Sequence, residues 1–204
     1  MTSLSIYGVA ASRTFRVLWV AHELDLKFKH ILIGFGGTET LDSPEYLAIN
    51  PNGKIPAIRD GDFTLWESLA ITLYLAKKHS KRFYPQSLKG EALCWQWSMF
   101  ALSELDKPII TWALNDHVLP PAKRNTKLAK AALEEMQRPF QVLDQTVTRT
   151  PYLIGRQFTV ADLNVASVLF RARKMMLHDY PALADWLNRC YARPSAIAAV
   201  KMRE

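Results

Sequence analysis

The sequence predicts an α/β unit followed by an all-helical domain. Strand and helix patterns alternate over the first 78 residues, in the order β-α-β-α-β-β-α. From residue 89 onward only helical periodicity occurs. The stretch between them, HSKRFYPQSL, is polar and contains Pro85, which is typical of a linker. We therefore expect an N-terminal domain at 1–78, a linker at 79–88 and a helical domain at 89–204.

Each element of the first domain has its own signal. LSIYG at 4–8 is typical of a short strand that ends at a glycine, and residues 14–24 carry apolar residues at helical spacing. FKHILI at 28–33 alternates apolar and polar residues, so it predicts a second strand, parallel to the first. Residues 41–49 predict a short helix capped by Asp42 or Ser43, with Pro44 at its first position.

The first domain ends with a hairpin and a helix. PAIR and FTLW flank an Asp-Gly-Asp turn, which predicts an antiparallel hairpin added to the sheet. The following helix, 67–78, is apolar on most sides and must therefore be buried against that sheet.

The second domain is predicted from helical patterns alone. We expect a long helix at 89–117 kinked at Pro108, and a second long helix at 122–147. Thr159 and Asp162 form a capping-box pattern ahead of an apolar helix that should be the core of this domain. Two shorter helices follow at 181–191 and 194–202.

Composition excludes several classes of function. The net charge is +7, but the basic residues are scattered and no nucleic-acid motif accompanies them. We find no signal peptide and no apolar run near the roughly 18 residues of a membrane span, so we expect a cytoplasmic protein with no membrane partner. The two cysteines form no CxxC and should be buried, and the five histidines show no metal-ligand spacing, so we expect no metal.

Three places in the first domain carry possible chemistry. Ser12 lies between the first strand and the first helix, where backbone N–H groups favour an anion; it is either a helix cap or a catalytic hydroxyl. Ile55 precedes Pro56 at the start of a strand, in NPNGKIPAI. This is either a plain edge strand or a cis bond that leaves the Ile55 backbone free to pair with a peptide-like ligand.

The third place is Glu67-Ser68, at the start of the buried helix. It is either an ordinary acidic helix start or a site for an amino-acid head group. In the second case the serine hydroxyl and free N–H groups hold the carboxylate, and the glutamate holds the ammonium. Together the three places describe a site for a short peptide with a free amino-acid end.

The order of these motifs resembles the cytosolic glutathione transferase family. The resemblance covers nearly the whole chain and is carried by AASRTFRVLW, NPNGKIPAI, LWESLAITLYLA and FTVADL. It implies a thioredoxin-like N-terminal domain, glutathione as cosubstrate, a role in detoxification and usually a homodimer. The resemblance is to serine-type members of theta, zeta or beta character, and to a bacterial member in particular.

The resemblance also implies roles for single residues. Ser12 matches the catalytic hydroxyl of serine-type members, Ile55 the backbone partner of the cysteinyl unit, and Glu67 and Ser68 the γ-glutamyl binders. Lys54 matches loosely a residue that holds the glycyl carboxylate. Gly53 stands where some subfamilies have a histidine, which leaves the glycyl end open.

Two alternatives remain at this stage. Tyr7 at the end of the first strand is either a core residue or the thiol activator, as in tyrosine-type members. The activity implied is attack of the glutathione thiolate on a small hydrophobic electrophile. Glutathione-dependent peroxidase or dehalogenase chemistry uses the same residues, and a non-catalytic glutathione-binding or protein-interaction module has the same fold.

Overall fold

The computed structural model describes residues 4–34, 40–175 and 177–203. The chain divides into two compact units, one made of residues 1–84 and 192–204 and the other of residues 85–191. This division differs from the predicted ranges at the C-terminus. Residues 192–204, which we expected in the helical domain, belong to the unit that contains the sheet.

The first unit is built on a four-stranded sheet of order β2-β1-β3-β4. β1 is parallel to β2 and antiparallel to β3, and β3 pairs with β4 as an antiparallel hairpin. The strands and helices are β1 (Leu4–Tyr7), α1 (Thr14–Glu23), β2 (Phe28–Ile31), α2 (Pro44–Leu47), β3 (Ala57–Asp60), β4 (Phe63–Trp66) and α3 (Ser68–His79). The predicted order and the mixed sheet are therefore confirmed.

Local sequence explains where α2 begins. Ser43 is its N-cap, with its hydroxyl accepting a hydrogen bond from the Tyr46 N–H at 3.2 Å. Pro44 occupies the first helical position, where its missing N–H costs nothing. Of the two predicted caps, the structure selects Ser43 over Asp42.

A polar cluster fixes the C-terminal helix α9 (Pro194–Lys201) to α1. The Glu23 carboxylate accepts hydrogen bonds from two nitrogens of Arg193 and from the hydroxyl of Ser195. The indole N–H of Trp19 donates to the same hydroxyl at 3.2 Å. Because these partners lie on α1, the C-terminal segment packs with the first unit although it follows the helical domain in sequence.

The regular elements of the second unit are all helical within the described residues, and an isolated β-bridge joins Tyr152 and Gly155. The helices are α4 (Leu88–Phe100), α5 (Lys107–Ala113), α6 (Thr126–Arg149), α7 (Val160–Val168) and α8 (Pro181–Tyr191), with short 3-10 turns at Pro121–Lys123 and Leu169–Lys174. Together with the sheet-containing unit, this confirms the predicted fold class. No helix in the described part of the chain is long and apolar enough to cross a bilayer.

The predicted helix 89–117 is interrupted twice. A π-helical turn, Ala101–Asp106, separates α4 from α5, and a second one, Leu114–Val118, follows α5. Pro108 lacks an N–H, and in a regular α-helix its ring would collide with the carbonyl of Glu104, four residues earlier. The wider π-helical turn just ahead of the proline avoids that collision, which accounts for the interruption between α4 and α5.

Helix α7 is the core of the second unit, since every one of its residues is buried. Its capping box is confirmed: Asp162 accepts from the N–H and the hydroxyl of Thr159, both at 3.0 Å. The same carboxylate also accepts from the Leu153 N–H at 2.8 Å and the Trp186 indole at 3.0 Å. Burial raises the pKa of Asp162, and these hydrogen bonds oppose that rise.

Both cysteines are buried, as predicted, and they form no disulfide with each other. Burial raises the pKa of Cys94 to about 12, so this thiol is protonated at neutral pH. A protonated, buried thiol is a packing residue rather than a nucleophile.

Replacing Asp162 with alanine should lower the free energy of unfolding by about 3–4 kcal/mol, because it leaves several buried donors without an acceptor. Urea unfolding followed by circular dichroism measures this. Asp185→Ala is the control, since Asp185 is exposed on α8, and it should change stability by less than about 0.5 kcal/mol. Equal losses in the two variants would contradict the assigned role of Asp162.

Candidate active site

One row of paired residues brings the three predicted segments together. Tyr7, the last residue of β1, is paired with Ala57 of β3, and Ala57 is paired with Trp66 of β4. The chain that leaves β1, the chain that enters β3 and the chain that leaves β4 therefore meet at the same edge of the sheet. Those are the segments that carry Ser12, Ile55 and Glu67-Ser68.

Gly8 allows two of these segments to touch. Its φ of +130° lies in a region that side chains rarely adopt. A Cβ atom there would lie 2.2 Å from the Thr14 hydroxyl and 3.0 Å from the Cβ of Ile55. The Gly8 carbonyl accepts a hydrogen bond from Nε2 of His30 at 2.7 Å. This bond anchors to β2 the start of the loop at 8–13, which is called the Ser12 loop below.

The Ser12 hydroxyl is held by three short contacts. It donates to the Val9 carbonyl at 2.7 Å and accepts from the Thr14 N–H at 3.1 Å. Its oxygen also lies 2.9 Å from the Thr14 hydroxyl, which is the donor in this pair while the one Ser12 hydrogen is bonded to Val9. Thr14 is fully buried, so it holds the half-buried Ser12 in place without facing solvent.

These contacts bear on both interpretations of Ser12. Helix α1 begins at Thr14, and its N-cap residue, Arg13, makes no capping hydrogen bond through its side chain. Ser12 bonds the first N–H of the helix instead, so it has a capping contact. The same hydroxyl keeps one hydrogen that a stronger acceptor than the Val9 carbonyl can take, which is what thiolate stabilisation requires.

The segment before β3 has an unusual backbone. The Ile55-Pro56 peptide bond is cis, which is the second of the two alternatives that the sequence left open. The ladder to β1 begins only at Ala57, and no described residue forms a hydrogen bond with the N–H or carbonyl of Ile55. This half-buried residue thus presents backbone groups that a ligand can pair with.

Two residues that sequence reasoning missed hold this segment. Asn50 is buried, and its side chain donates to the Lys54 carbonyl at 2.5 Å and accepts from the Asn52 N–H at 3.0 Å. The Tyr46 hydroxyl donates to the same carbonyl at 2.6 Å, and burial raises the pKa of Tyr46 to about 12, so it stays a donor at neutral pH. The turn composition NPNG was visible in the sequence, but not which side chain would close it.

Lys54 has a double role in this geometry. Its carbonyl is the acceptor that fixes the turn, whereas its side chain is exposed. Gly53 precedes it with φ +58°, and a Cβ there would approach the Leu41 carbonyl to 3.3 Å. A histidine at position 53 would therefore be strained in this backbone, which explains the departure noted in the sequence.

Glu67 and Ser68 open α3 as predicted, with an unusual backbone at Glu67. Its φ is +72°, a conformation that costs a non-glycine residue about 1–3 kcal/mol and recurs at binding sites. The Glu67 side chain is exposed, and Ser68 is buried. The first N–H groups of a helix have no partner within it, so this end of α3 favours an anion.

Arg16 of α1 reaches this helix start and was missed from the sequence. It is buried, and its Nη1 donates to the Ser68 hydroxyl at 3.1 Å. Because the serine oxygen accepts from Arg16, its own hydrogen is left to donate to a carboxylate. The guanidinium also places positive charge next to the N-terminus of α3, where Ser68 is the first residue.

Tyr7 packs in the apolar core of the first unit. It is 7% exposed and packs in an apolar cluster with Ile33, Ile49 and Ala57. Its ring centroid lies 6.1 Å from that of Tyr46, which belongs to the same cluster. The environment of Tyr7 is that of a core residue.

Comparison with known proteins identifies the family of the chain. The family model described as the glutathione S-transferase N-terminal domain matches residues 2–77, and the one described as its C-terminal domain matches residues 105–194. Among curated relatives, glutathione S-transferase GstB of Escherichia coli is 31% identical over 190 residues, with 88% of each chain covered. A probable glutathione S-transferase of rice, GSTF2, is 28% identical and covers 96% of this chain and 95% of its own.

Solved structures include a theta-class glutathione S-transferase from Xanthomonas axonopodis pv. citri with glutathione bound. It is 29% identical, matches with a TM-score of 0.89 and covers 98% of each chain. The chain therefore belongs to the glutathione S-transferase family, whose members are transferases, and the resemblance found in the sequence is confirmed at that level.

Asn50→Ala should weaken glutathione binding together with stability. It removes the buried amide that fixes the turn before Ile55, with an expected loss of about 1–3 kcal/mol in the free energy of unfolding. Urea unfolding and isothermal titration with glutathione measure the two effects. Asn52→Ala is the matched control: it keeps the N–H that donates to Asn50, and it should leave both quantities nearly unchanged. A fall in stability with unaltered affinity would separate Asn50 from the site.

Proposed function

We propose that this chain is a serine-type glutathione transferase, in which Ser12 activates the glutathione thiol for attack on a small hydrophobic electrophile. Glutathione acts as a cosubstrate, because its sulfur ends in the product. The observation that supports the proposal is the row Tyr7–Ala57–Trp66, which gathers the Ser12 loop, Ile55 and the start of α3 at one sheet edge. A tripeptide with a reactive middle residue suits three such segments.

The proposed binding follows the chemistry of each segment. Glu67 holds the α-ammonium of the γ-glutamyl unit, and Ser68 with the N-terminus of α3 holds its carboxylate. The N–H and carbonyl of Ile55 pair with the cysteinyl backbone. Lys54, whose side chain is exposed, is the candidate for the glycyl carboxylate.

The proposed chemistry is stabilisation of the thiolate. A free thiol has a pKa near 8.5, so only about 3% is ionised at pH 7. A hydrogen bond from Ser12 to the charged sulfur contributes about 1.5–3 kcal/mol, which lowers the thiol pKa by about one to two units. The sulfur then bonds to the electrophilic carbon as the leaving group departs, and serine itself forms no covalent bond.

The local contacts of Ser12 suit this role. A thiolate carries a full negative charge and outcompetes the neutral Val9 carbonyl for the hydroxyl hydrogen. Rotation about one side-chain bond redirects that hydrogen, and the Thr14 N–H keeps the oxygen in place at 3.1 Å. Tyr7, packed in the apolar cluster, is the less favoured activator.

Ser12→Ala should leave glutathione affinity nearly unchanged and lower kcat near neutral pH by about one to two orders of magnitude. The loss should shrink as the pH rises past the free thiol pKa, where solvent ionises the sulfur unaided. Turnover of an aryl halide with glutathione, measured against pH, tests this. If Ser12 were only a cap, the substitution would cost about 1 kcal/mol of stability with little change in rate.

Tyr7→Phe is the control for Ser12→Ala and should be nearly silent. Loss of activity in Tyr7→Phe with retention in Ser12→Ala would transfer the role to the tyrosine. The same assay run with a peroxide and an alkyl halide separates the peroxidase and dehalogenase alternatives. Binding of glutathione without turnover of any of these substrates would favour the non-catalytic module.

We also propose that the protein is a homodimer. Helix α4 and the turn after it present a stripe of exposed apolar side chains at helical spacing, which consists of Leu88, Trp95, Met99 and Leu102. Leu88 is 83% exposed and Trp95 55% exposed. Exposed apolar side chains that repeat at helical spacing are typical of a protein–protein interface, and a second copy is the partner that the family resemblance implies. Assignment to a bacterial theta, zeta or beta subclass and the cytoplasmic location stay predictions from the sequence.

Met99→Glu should convert the dimer to a monomer at micromolar concentration, because it places a charge in an apolar interface. Sedimentation or light scattering measures the mass. Leu128→Glu is the control, since Leu128 is a similarly exposed apolar residue on α6, outside the stripe. A monomeric mass for the unmodified protein would refute the homodimer.

A further inference from the structure

The C-terminal segment contacts the loop that carries Ser12. The Nη1 atom of Arg203 donates to the Ala10 carbonyl at 3.0 Å and to the Ser12 carbonyl at 3.1 Å. Its guanidinium also lies 5.6 Å from the ring centroid of Phe15, in a cation–π contact. One side chain, 191 positions away in sequence from Ser12, thus spans both sides of Ala11 in the loop.

The position of Arg203 is itself fixed by α9. At one end of this helix, Arg193 and Ser195 are bonded to Glu23. At the other end, Met202 Sδ lies 3.3 Å from Nε2 of His22. Because α9 is anchored on α1 at both ends, Arg203, two residues beyond this helix, is held next to the loop.

These contacts help to orient two peptide groups. The Ser12 carbonyl also accepts a hydrogen bond from the Phe15 N–H at 3.2 Å, whereas Arg203 is the donor to the Ala10 carbonyl. The C=O and N–H of a trans peptide point in opposite directions. With the carbonyls of Ala10 and Ser12 aimed at Arg203, the N–H groups of Ala11 and Arg13 point away from it. The negative ends of both peptide dipoles are thereby neutralised by a cation, and their positive ends are turned to the other side of the loop.

We propose that Arg203 is a positioning residue for thiol activation, which holds the Ser12 loop in the conformation that stabilises the glutathione thiolate. The inference rests on the proposed role of Ser12. Arg203 touches neither the Ser12 hydroxyl nor, in this role, the substrate, and it acts through the loop backbone. The other ionisable groups on β1, β2, α1 and α9, together with the N-cap residue of α1, are Tyr7, Lys29, His30, Arg13, Arg16, His22, Glu23 and Lys201.

The test is titration of the bound glutathione thiol in the full-length protein, followed by the ultraviolet absorbance of the thiolate. Arg203→Met should raise the pKa of the bound thiol by about 0.5–1 unit. At pH 6.5 to 7 it should lower kcat/KM for an aryl halide by about threefold to tenfold, with the KM for glutathione changed less than about twofold. The loss should vanish at a pH above the thiol pKa of the variant.

Two further variants separate positioning from folding. Arg203→Lys keeps the charge and one donor contact, so it should show an intermediate thiol pKa, and it carries the test if Arg203→Met does not fold. Lys201→Met removes a neighbouring exposed charge from α9 and should leave the thiol pKa unchanged. A purely structural role for Arg203 predicts lower thermal stability with an unshifted thiol pKa, and that result would overturn the inference.

The outcome for Ser12 distinguishes this inference from the proposed function. If Ser12→Ala raises the thiol pKa and both Arg203 variants leave it unchanged, only the role of Arg203 is wrong. If the unmodified protein fails to lower the pKa of bound glutathione at all, the proposed function fails and the inference fails with it.

Discussion

The absence of a side chain at Gly8 is the constraint on which the candidate site depends. A Cβ atom at this position would overlap the Thr14 hydroxyl at 2.2 Å and crowd Ile55. The glycine lets β1 turn into the Ser12 loop while the segment before β3 stays in contact with it. The pairing of Tyr7 with Ala57, and of Ala57 with Trp66, then sets the start of α3 at the same sheet edge.

The polar groups at this edge suit the anionic tripeptide that we propose as the ligand. The N-terminus of α3, the Ser68 hydroxyl and the Arg16 guanidinium lie together at one end, where a carboxylate is stabilised. The Ser12 loop at the other end is bonded to His30 through the Gly8 carbonyl and to Arg203 through two carbonyls. Positive charge near this edge therefore comes from Arg16, Arg203 and the N-terminus of α3 rather than from the overall charge of +7.

The elements of the fold were predictable because each has a local signal. Pro44, Pro181 and Pro194 mark helix starts, the Asp-Gly-Asp turn marks the hairpin, and the Thr159–Asp162 pair marks α7. The π-helical turns around α5 were not predicted, since a proline in a helical pattern indicates a kink but not how the backbone absorbs it. The placement of 192–204 depends on Glu23, which lies 170 positions from Arg193 and leaves no local pattern.

In the candidate site, too, residues with a local sequence signal were predictable and residues without one were not. Ser12, Ile55, Glu67 and Ser68 follow from short motifs and from the resemblance that those motifs carry. Asn50, Thr14 and Arg16 could not be assigned, because their roles depend on which buried partner each one reaches in three dimensions. Arg203 is the extreme case, since a single arginine near the end of a basic chain has no signal of its own.

A crystal structure of the protein with glutathione bound tests the central claim most directly. The account predicts that the γ-glutamyl end lies at Glu67 and Ser68, and that the cysteinyl backbone pairs with Ile55. It also predicts that the sulfur lies within hydrogen-bond distance of the Ser12 hydroxyl, which has turned away from the Val9 carbonyl. A sulfur bonded to the Tyr7 hydroxyl, or a tripeptide bound away from this sheet edge, would contradict it.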